Sequence, residues 1–340
     1  MKVLSLFDGM SCGQLALKRA GIQVEKYFAS EIDKYAIDIT QKNFPETIQV
    51  GDICKLDPCD FQEVDLILAG SPCQGFSFAG KQLAFDDPRS ALFFEFIRLL
   101  QAIKPKYFLL ENVPMKLEFL QIITEQVSLC YPDYQGVDLF SGVIKPISIN
   151  SSLVSAQSRQ RYYWTNIPGV EQPEDKGILL KDVLEDNFDS ERNKSYCIDA
   201  NYYKGANVDQ YKKKSRRQLV NKPKQVGGRL VGRAYDVDGK RADRFGDSVA
   251  GKTHQMLELR QDEKSNTLST AFKDTIVVNE DLLWRKLTPL ECERLQTVPD
   301  NYTEGVSNTR RYQMLGNGWT VDVIAHILKN IDERQKPKQS

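Results

Sequence analysis

Over the first 115 residues, short apolar runs alternate with helix-length stretches. Residues 3–7, 27–30, 47–50, 65–69 and 107–110 read as strands. Between them, 14–20 reads as a helix ending at Gly21, a residue suited to a C-cap. Residues 33–43 form a second that stops before Phe44-Pro45, and 91–103 a third that stops before Lys104-Pro105. This rhythm predicts an α/β fold with a doubly wound, mostly parallel sheet, whose ligands bind at the carboxyl ends of the strands. Residues 161–164 add another strand. From 168 to 265 the texture turns polar and Gly-bearing with little helical periodicity, which predicts a smaller inserted domain. Strand-like order returns at 267–270 and 275–278, a helix at 288–296 and an amphipathic stretch at 321–331. The expected division is 1–167 for the main domain, 168–265 for the insert, 266–333 for the return and 334–340 for a frayed tail.

Composition narrows the class. The 340 residues are 41% hydrophobic and 27% charged, enough for one large or two modest globular domains. The opening run 2–7 is broken by Asp8 too soon for a signal peptide. No stretch approaches ~18 uninterrupted apolar residues, so no membrane contact and a cytoplasmic location are expected. Seven cysteines form no Cys-x-x-Cys pair, and the two histidines, His254 and His326, stand apart from acidic clusters, which argues against disulfides and against a metal. Formal charge is zero overall but unevenly spread. Residues 1–100 hold 10 basic against 14 acidic side chains, whereas 201–260 hold 15 against 6. The second region can face a polyanion, although the run Lys212–Arg217 alone reads equally well as a solvated loop.

Candidate chemistry clusters at predicted strand ends. Phe7-Asp8-Gly9-Met10-Ser11-Cys12-Gly13 links the first strand to the first helix; by itself it is a tight turn or a ligand loop. Glu31 closes the second strand, where an acid can accept hydrogen bonds from ribose hydroxyls, and Asp52 closes the third, where it can meet an adenine amino group. No Gly-Lys-Ser/Thr follows, so a nucleoside without a phosphate chain, such as S-adenosyl-L-methionine, fits better than a nucleotide. Gly70-Ser71-Pro72-Cys73-Gln74-Gly75-Phe76-Ser77 sets one thiol on a rigid Pro-Cys turn past an apolar strand. A lone intracellular cysteine is usually a small buried hydrophobe, but this setting favours a reactive one. Glu111-Asn112-Val113 and Gln157-Ser158-Arg159-Gln160-Arg161 are, taken singly, a strand-end acid and solvated arginines.

Their joint order resembles the cytosine-5 DNA methyltransferases. The resemblance extends through Asp87-Pro88-Arg89-Ser90-Ala91-Leu92, Lys104-Pro105-Lys106, Leu287-Thr288-Pro289-Leu290-Glu291-Cys292 and Leu315-Gly316-Asn317-Gly318. The Pro-Cys-Gln-Gly-Phe-Ser turn is closest to bacterial and phage enzymes. The stretch 154–169 and Trp319 are most similar to the vertebrate de novo branch. Two departures stand out: the first loop lacks the close Gly-x-Gly spacing of many bacterial members, and the last motif reads Gly-Asn-Gly-Trp-Thr rather than Gly-Asn-Ser-Val. Residues 168–265 match no family segment.

The resemblance implies a methyltransferase sheet with an inserted target-recognition domain, and methyl transfer from S-adenosyl-L-methionine to carbon 5 of a cytosine flipped out of double-stranded DNA. Cys73 would add to carbon 6, and Glu111, protonated as carboxyls in dry sites can be, would donate near ring nitrogen 3. Arg159 and Arg161 would stabilise charge developing on oxygen 2. The implied cofactor contacts are Phe7, Asp8, Gly9, Gly13, Glu31, Ile32, Asp52, Ile53, Pro72, Leu92, Asn317 and Trp319. The implied DNA contacts are Gln74, Ser77, Lys81, Gln82 and Arg89, with Arg229 and Arg233 as candidates for guanine edges. A monomer in a bacterial or phage-infected cell is expected. The alternatives are a transfer-RNA methyltransferase on the same scaffold, whose Cys-Phe-Thr signature is absent here, a catalytically silent homologue, and a nicotinamide dehydrogenase. The last would leave Cys73, Glu111 and the arginines without a joint role.

Overall fold

The computed structural model describes residues 1–71, 91–134, 142–185, 188–205, 208–214, 217–233, 254–259 and 276–331. The expected strand at 267–270 and the frayed tail lie outside them.

Seven strands form the main sheet: β1 Lys2–Leu6, β2 Lys26–Ser30, β3 Ile48–Gln49, β4 Leu66–Gly70, β5 Tyr107–Asn112, β6 Ile147–Asn150 and β7 Gln160–Thr165. Their order is β3-β2-β1-β4-β5-β7-β6, with β3 to β5 parallel and β7 antiparallel to both neighbours. In β4, Leu66, Ile67, Leu68 and Ala69 are all fully buried. Helices covering both faces of a parallel sheet explain why its strands read as unbroken apolar runs rather than alternating ones.

The helices are α1 Cys12–Ala20, α2 Lys34–Asn43, α3 Ala91–Ile103, α4 Leu117–Cys130, α5 Val208–Lys214, α6 Pro289–Leu295, α7 Asn308–Asn317 and α8 Val321–Leu328. Their ends follow local chemistry. Gly21 stops α1 at φ 80°, its N–H returning to Leu17 and Lys18 carbonyls. The Asp33 side chain caps α2 by accepting from Tyr35 N at 2.9 Å. Thr288 and Glu291 form a capping box on α6, with Pro289 in its first turn. The α3 face of Phe93, Phe96, Ile97, Leu100 and Ile103 supplies much of the core against β4 and β5.

Three helices, α4, α5 and α7, were not expected. α4 buries Phe119, Ile123 and Val127 at helical spacing, yet carries a β-branched pair at Ile122-Ile123 that blurs the pattern. α7 opens on Asn-Thr-Arg-Arg and buries only Tyr312, Met314, Leu315 and Gly316. The run Lys212–Arg217, open between loop and partner surface, begins in the last turn of α5, where Lys212, Lys213 and Lys214 are exposed.

By contact density the chain divides into one unit of residues 1–186, 190–219 and 286–340, and a second of 187–189 and 220–285. The second is narrower at its start, and continues further, than the 168–265 expected from texture. The physical reason is burial: Leu180, Val183, Ile198, Tyr202, Tyr211 and Leu219 lie in polar-looking sequence but belong to the interior of the first unit. Among its described residues, the second unit carries a three-stranded sheet in the order β10-β8-β9, with β8 Leu219–Arg233, β9 His254–Leu259 and β10 Ile276–Lys286. In its antiparallel β8–β9 pair, Arg229 stands opposite Glu258 and Arg233 opposite His254.

Candidate active site

Where β1, β2, β4 and β5 end, their carboxyl edges open a cavity of about 380 Å³ in the first unit. Phe7, Asp8, Gly9, Glu31, Ile32, Asp52, Ile53, Leu92, Glu111, Arg159, Arg161, Asn317 and Trp319 all line it. Thus residues from seven separate stretches of sequence converge on one space. Gly13 sits behind the lining: a Cβ there would come 2.7 Å from the Tyr27 hydroxyl and 2.9 Å from Leu68. Pro72, Cys73, Gln74, Ser77, Lys81, Gln82 and Arg89 lie outside the described residues. Arg229 and Arg233 lie on β8 in the second unit.

One end of the cavity is built around two strand-end acids. Glu31 Oε2 accepts from Gly9 N at 2.8 Å, and Oε1 accepts from Ile32 N and Asp33 N at 2.8 and 2.9 Å. These bonds fix the carboxylate in one orientation before any ligand arrives. Asp52 caps the turn after β3 by accepting from Cys54 N at 3.1 Å. Ile32 is 77% exposed, an apolar side chain left open beside the two acids. Such a surface is suited to the face of a heterocyclic base flanked by hydroxyl and amino groups.

The other end carries a charged pair. Arg161 Nε lies 2.8 Å from Glu111 Oε1, both side chains little exposed. Glu111 sits on β5 in register with Gly70 of β4, and Arg161 on the antiparallel β7. Beside them Asn112 donates from Nδ2 to Ser71 Oγ at 3.0 Å and accepts Val113 N on Oδ1 at 2.8 Å. This ties the end of β4 to the end of β5.

Arg159 has a different setting from its neighbour. It is 4% exposed, and its guanidinium donates to the carbonyls of Ile198, Gly316 and Gly318 at 3.1, 3.2 and 3.0 Å, with Cys197 Sγ at 3.4 Å. Buried Gln296 holds the same Gly318 carbonyl from another direction at 3.1 Å and that of Leu315 at 2.6 Å. Gln157 then joins Gln296 to Ile198 N. Together these side chains fix the Asn317-Gly318-Trp319 turn, and the amides of Gln157 and Gln296 were not foreseen. Trp319 in turn explains Gly70, since a Cβ there would meet its Nε1 at 2.8 Å. At Gly316 the backbone of Asp199–Ala200 crosses so closely that a Cβ would lie 2.2–2.4 Å from it. Neither partner is a flexible side chain. Gly316→Ala should therefore separate α7 from that segment and cost at least about 3 kcal/mol, read as a lowered denaturation midpoint.

Burial also sorts the thiols. Among the described cysteines, Cys12 lines the cavity, and burial pushes its thiol up to about 12. It stays protonated near neutral pH and is a poor nucleophile. Asp8 is pushed up to about 6, mainly by burial, against hydroxyls of Ser11 and Tyr27 that favour its charged form.

The C-5 cytosine-specific DNA methylase family model matches residues 1–129 and 147–333. The chain belongs to this family. The methylase is 28% identical over 340 residues to the Type II methyltransferase M.NlaX of Neisseria lactamica, covering 97% of this chain and 96% of that protein. It is 29% identical to the Type II methyltransferase M1.ScrFI of Lactococcus lactis subsp. cremoris, over 98% of this chain and 78% of the relative. The methylase is also similar in fold to the Entamoeba histolytica methyltransferase EhMeth, with a TM-score of 0.61 at 18% identity, over 97% of each chain. As a member, this protein is a DNA cytosine-5 methyltransferase with the fold of S-adenosylmethionine-dependent enzymes. Among the described residues no helix is long and apolar enough to cross a membrane, and no cluster of His, Cys, Asp or Glu could hold a metal ion.

Proposed function

We propose that the cavity binds S-adenosyl-L-methionine at its Glu31–Asp52 end and a flipped cytosine of double-stranded DNA at its Glu111–Arg161 end. The observation that carries this reading is their continuity: the paired acids and the paired ions share one space. Glu31, held by three backbone N–H groups, is placed to accept ribose hydroxyls; Asp52 and the exposed Ile32 face the base; Asn317 and Trp319 border the remainder. When bound, the cofactor supplies an electrophilic methyl group on a sulfonium.

Carbon 5 of cytosine is too electron-poor to take that methyl unaided. Cys73 Sγ adds to carbon 6, and the displaced π electrons move toward ring nitrogen 3 and oxygen 2. Glu111, a carboxylate paired with Arg161, takes up a proton from solvent as the base enters and donates it near nitrogen 3, and the Arg161 guanidinium offsets charge on oxygen 2. The resulting enamine carbon 5 forms the new bond to the methyl carbon. Loss of the carbon 5 proton to water or a site base, with departure of the thiolate, restores the ring. Position 73 follows Ser71 by two residues, a reach of at most ~7 Å from a residue hydrogen-bonded to Asn112.

In this reading the second unit reads sequence. Positions 229, 231 and 233 share one face of β8 by the two-residue strand period, and the two arginines are the candidates for guanine edges. The exposed lysines ending α5 suit phosphates. The Type II names of the relatives favour a restriction-modification setting in a bacterial cytoplasm, and a monomer suffices. The test is base-resolution bisulfite sequencing of DNA from a methylation-free bacterial host expressing the chain. Conversion-resistant cytosines in one short context are expected. Soluble protein with no resistant cytosine, together with methylation of transfer RNA in vitro, would move the substrate to RNA.

A further inference from the structure

The turn between β1 and α1 faces the cofactor end of the cavity, yet it lacks the closely spaced glycines that would let it bend freely. Its backbone nevertheless adopts the left-handed conformation at Ser11, with φ 60° and ψ 42°. Any residue with a Cβ is strained there, so something must hold it. The Ser11 hydroxyl does not cap α1, although it occupies the N-cap position. It donates instead to Asp8 Oδ2. Tyr27 donates to the other oxygen, Oδ1, at 2.6 Å. Around Ser11 Oγ, the Gln14 amide and the Thr40 hydroxyl each approach to 3.2 Å, and Thr40 also reaches the Gly9 carbonyl at 3.3 Å.

We propose that Asp8 is a positioning residue: from within the turn it tethers Ser11 in the left-handed conformation, doing with a side chain what a glycine does by lacking one, and so shapes the surface offered to the cofactor. Both its oxygens are engaged by hydroxyls of the protein, which gives it a role distinct from the direct cofactor contact implied by resemblance. Gly13 fits the same design, because a Cβ there would sit 2.7 Å from the Tyr27 hydroxyl that reaches Asp8. Ser11 and Thr40 are fully buried, so the network is closed to water that might replace its bonds. Burial also makes a carboxylate costly at this position, a cost that stability alone gives no reason to keep.

The inference rests on the cofactor reading above, and its test separates the two. The dissociation constant of S-adenosylhomocysteine is measured by calorimetry for the full chain, for Asp8→Ala and Ser11→Ala, and for Asp8→Ala in a Ser11→Gly background. Wild type failing to bind would overturn the cofactor reading. If it binds, Asp8→Ala and Ser11→Ala should each weaken binding tenfold or more. In the Ser11→Gly background the Asp8→Ala loss should shrink below threefold, because glycine holds the turn without a tether. A general loss of packing, including the orphaned Tyr27 hydroxyl, would cost the same in both backgrounds. Equal losses in the two backgrounds, or no loss in either, would overturn the proposal. Should Asp8→Ala be insoluble, Asp8→Asn is compared in the same two backgrounds, and the same inequality decides.

Discussion

Cys73→Ala should bind duplex DNA and S-adenosylhomocysteine as the parent does, yet transfer methyl groups at no more than about 10⁻⁴ of the parental rate. The loss is large because no other step in the scheme raises the electron density of carbon 5. No described thiol is a substitute: Cys12 lines the cavity but stays protonated, Cys130 and Cys292 are buried, Cys54 and Cys59 lie at the exposed surface, and Cys197, held by the Arg159 guanidinium at 3.4 Å, is not among the residues lining the cavity. The measurement pairs tritiated methyl transfer with intact mass spectrometry on a duplex carrying 5-fluorocytosine at the target. Fluorine cannot leave carbon 5 as a cation, so the elimination that releases the thiolate stops. Wild type should then carry a stable adduct of protein, base and methyl group. Cys73→Ala should carry none. Turnover near wild type in the variant, or an adduct that survives the substitution, would sink the nucleophile assignment.

Most of the sheet was legible because parallel strands buried on both faces write themselves as apolar runs, and Gly21, Pro45 and Pro105 punctuate the helices between them. Glu31 and Asp52 drew attention for a related reason, since an acid placed where an apolar strand stops needs explaining, and both line the cavity. The pairing of Glu111 with Arg161 was not, since the antiparallel return of β7 beside β5 leaves no mark in either strand. Nor was the boundary of the second unit, because residues 190–219 bury Ile198, Tyr202, Tyr211 and Leu219 among polar neighbours without a period. Ser11 shows the same limit from the other side. Its absent glycine was visible, but the compensation runs through Asp8, Tyr27 and Thr40, which come together only in the fold.

Arg159 and Arg161, two residues apart in one motif, should fail in different ways when each is changed to methionine. Arg161 is paired with Glu111 at the reacting end of the cavity, so Arg161→Met should lower kcat by about 10²–10³-fold, the usual loss when a donor aimed at developing charge is removed. Its affinity for S-adenosylhomocysteine should stay close to that of wild type. Arg159 instead spends its guanidinium on the carbonyls of Ile198, Gly316 and Gly318. Arg159→Met leaves three acceptors facing an apolar side chain, a change worth about 3–5 kcal/mol when a buried charged partner is lost. For a chain of this size that lowers the unfolding midpoint by roughly 6–10 °C. Because Gly316 and Gly318 flank Asn317, and Trp319 follows, the same variant should weaken S-adenosylhomocysteine binding. Calorimetric affinity, thermal unfolding and kcat measured on both variants separate the roles. Equal loss of kcat with no change in affinity or stability for Arg159→Met would return Arg159 to the reacting base, beside Arg161.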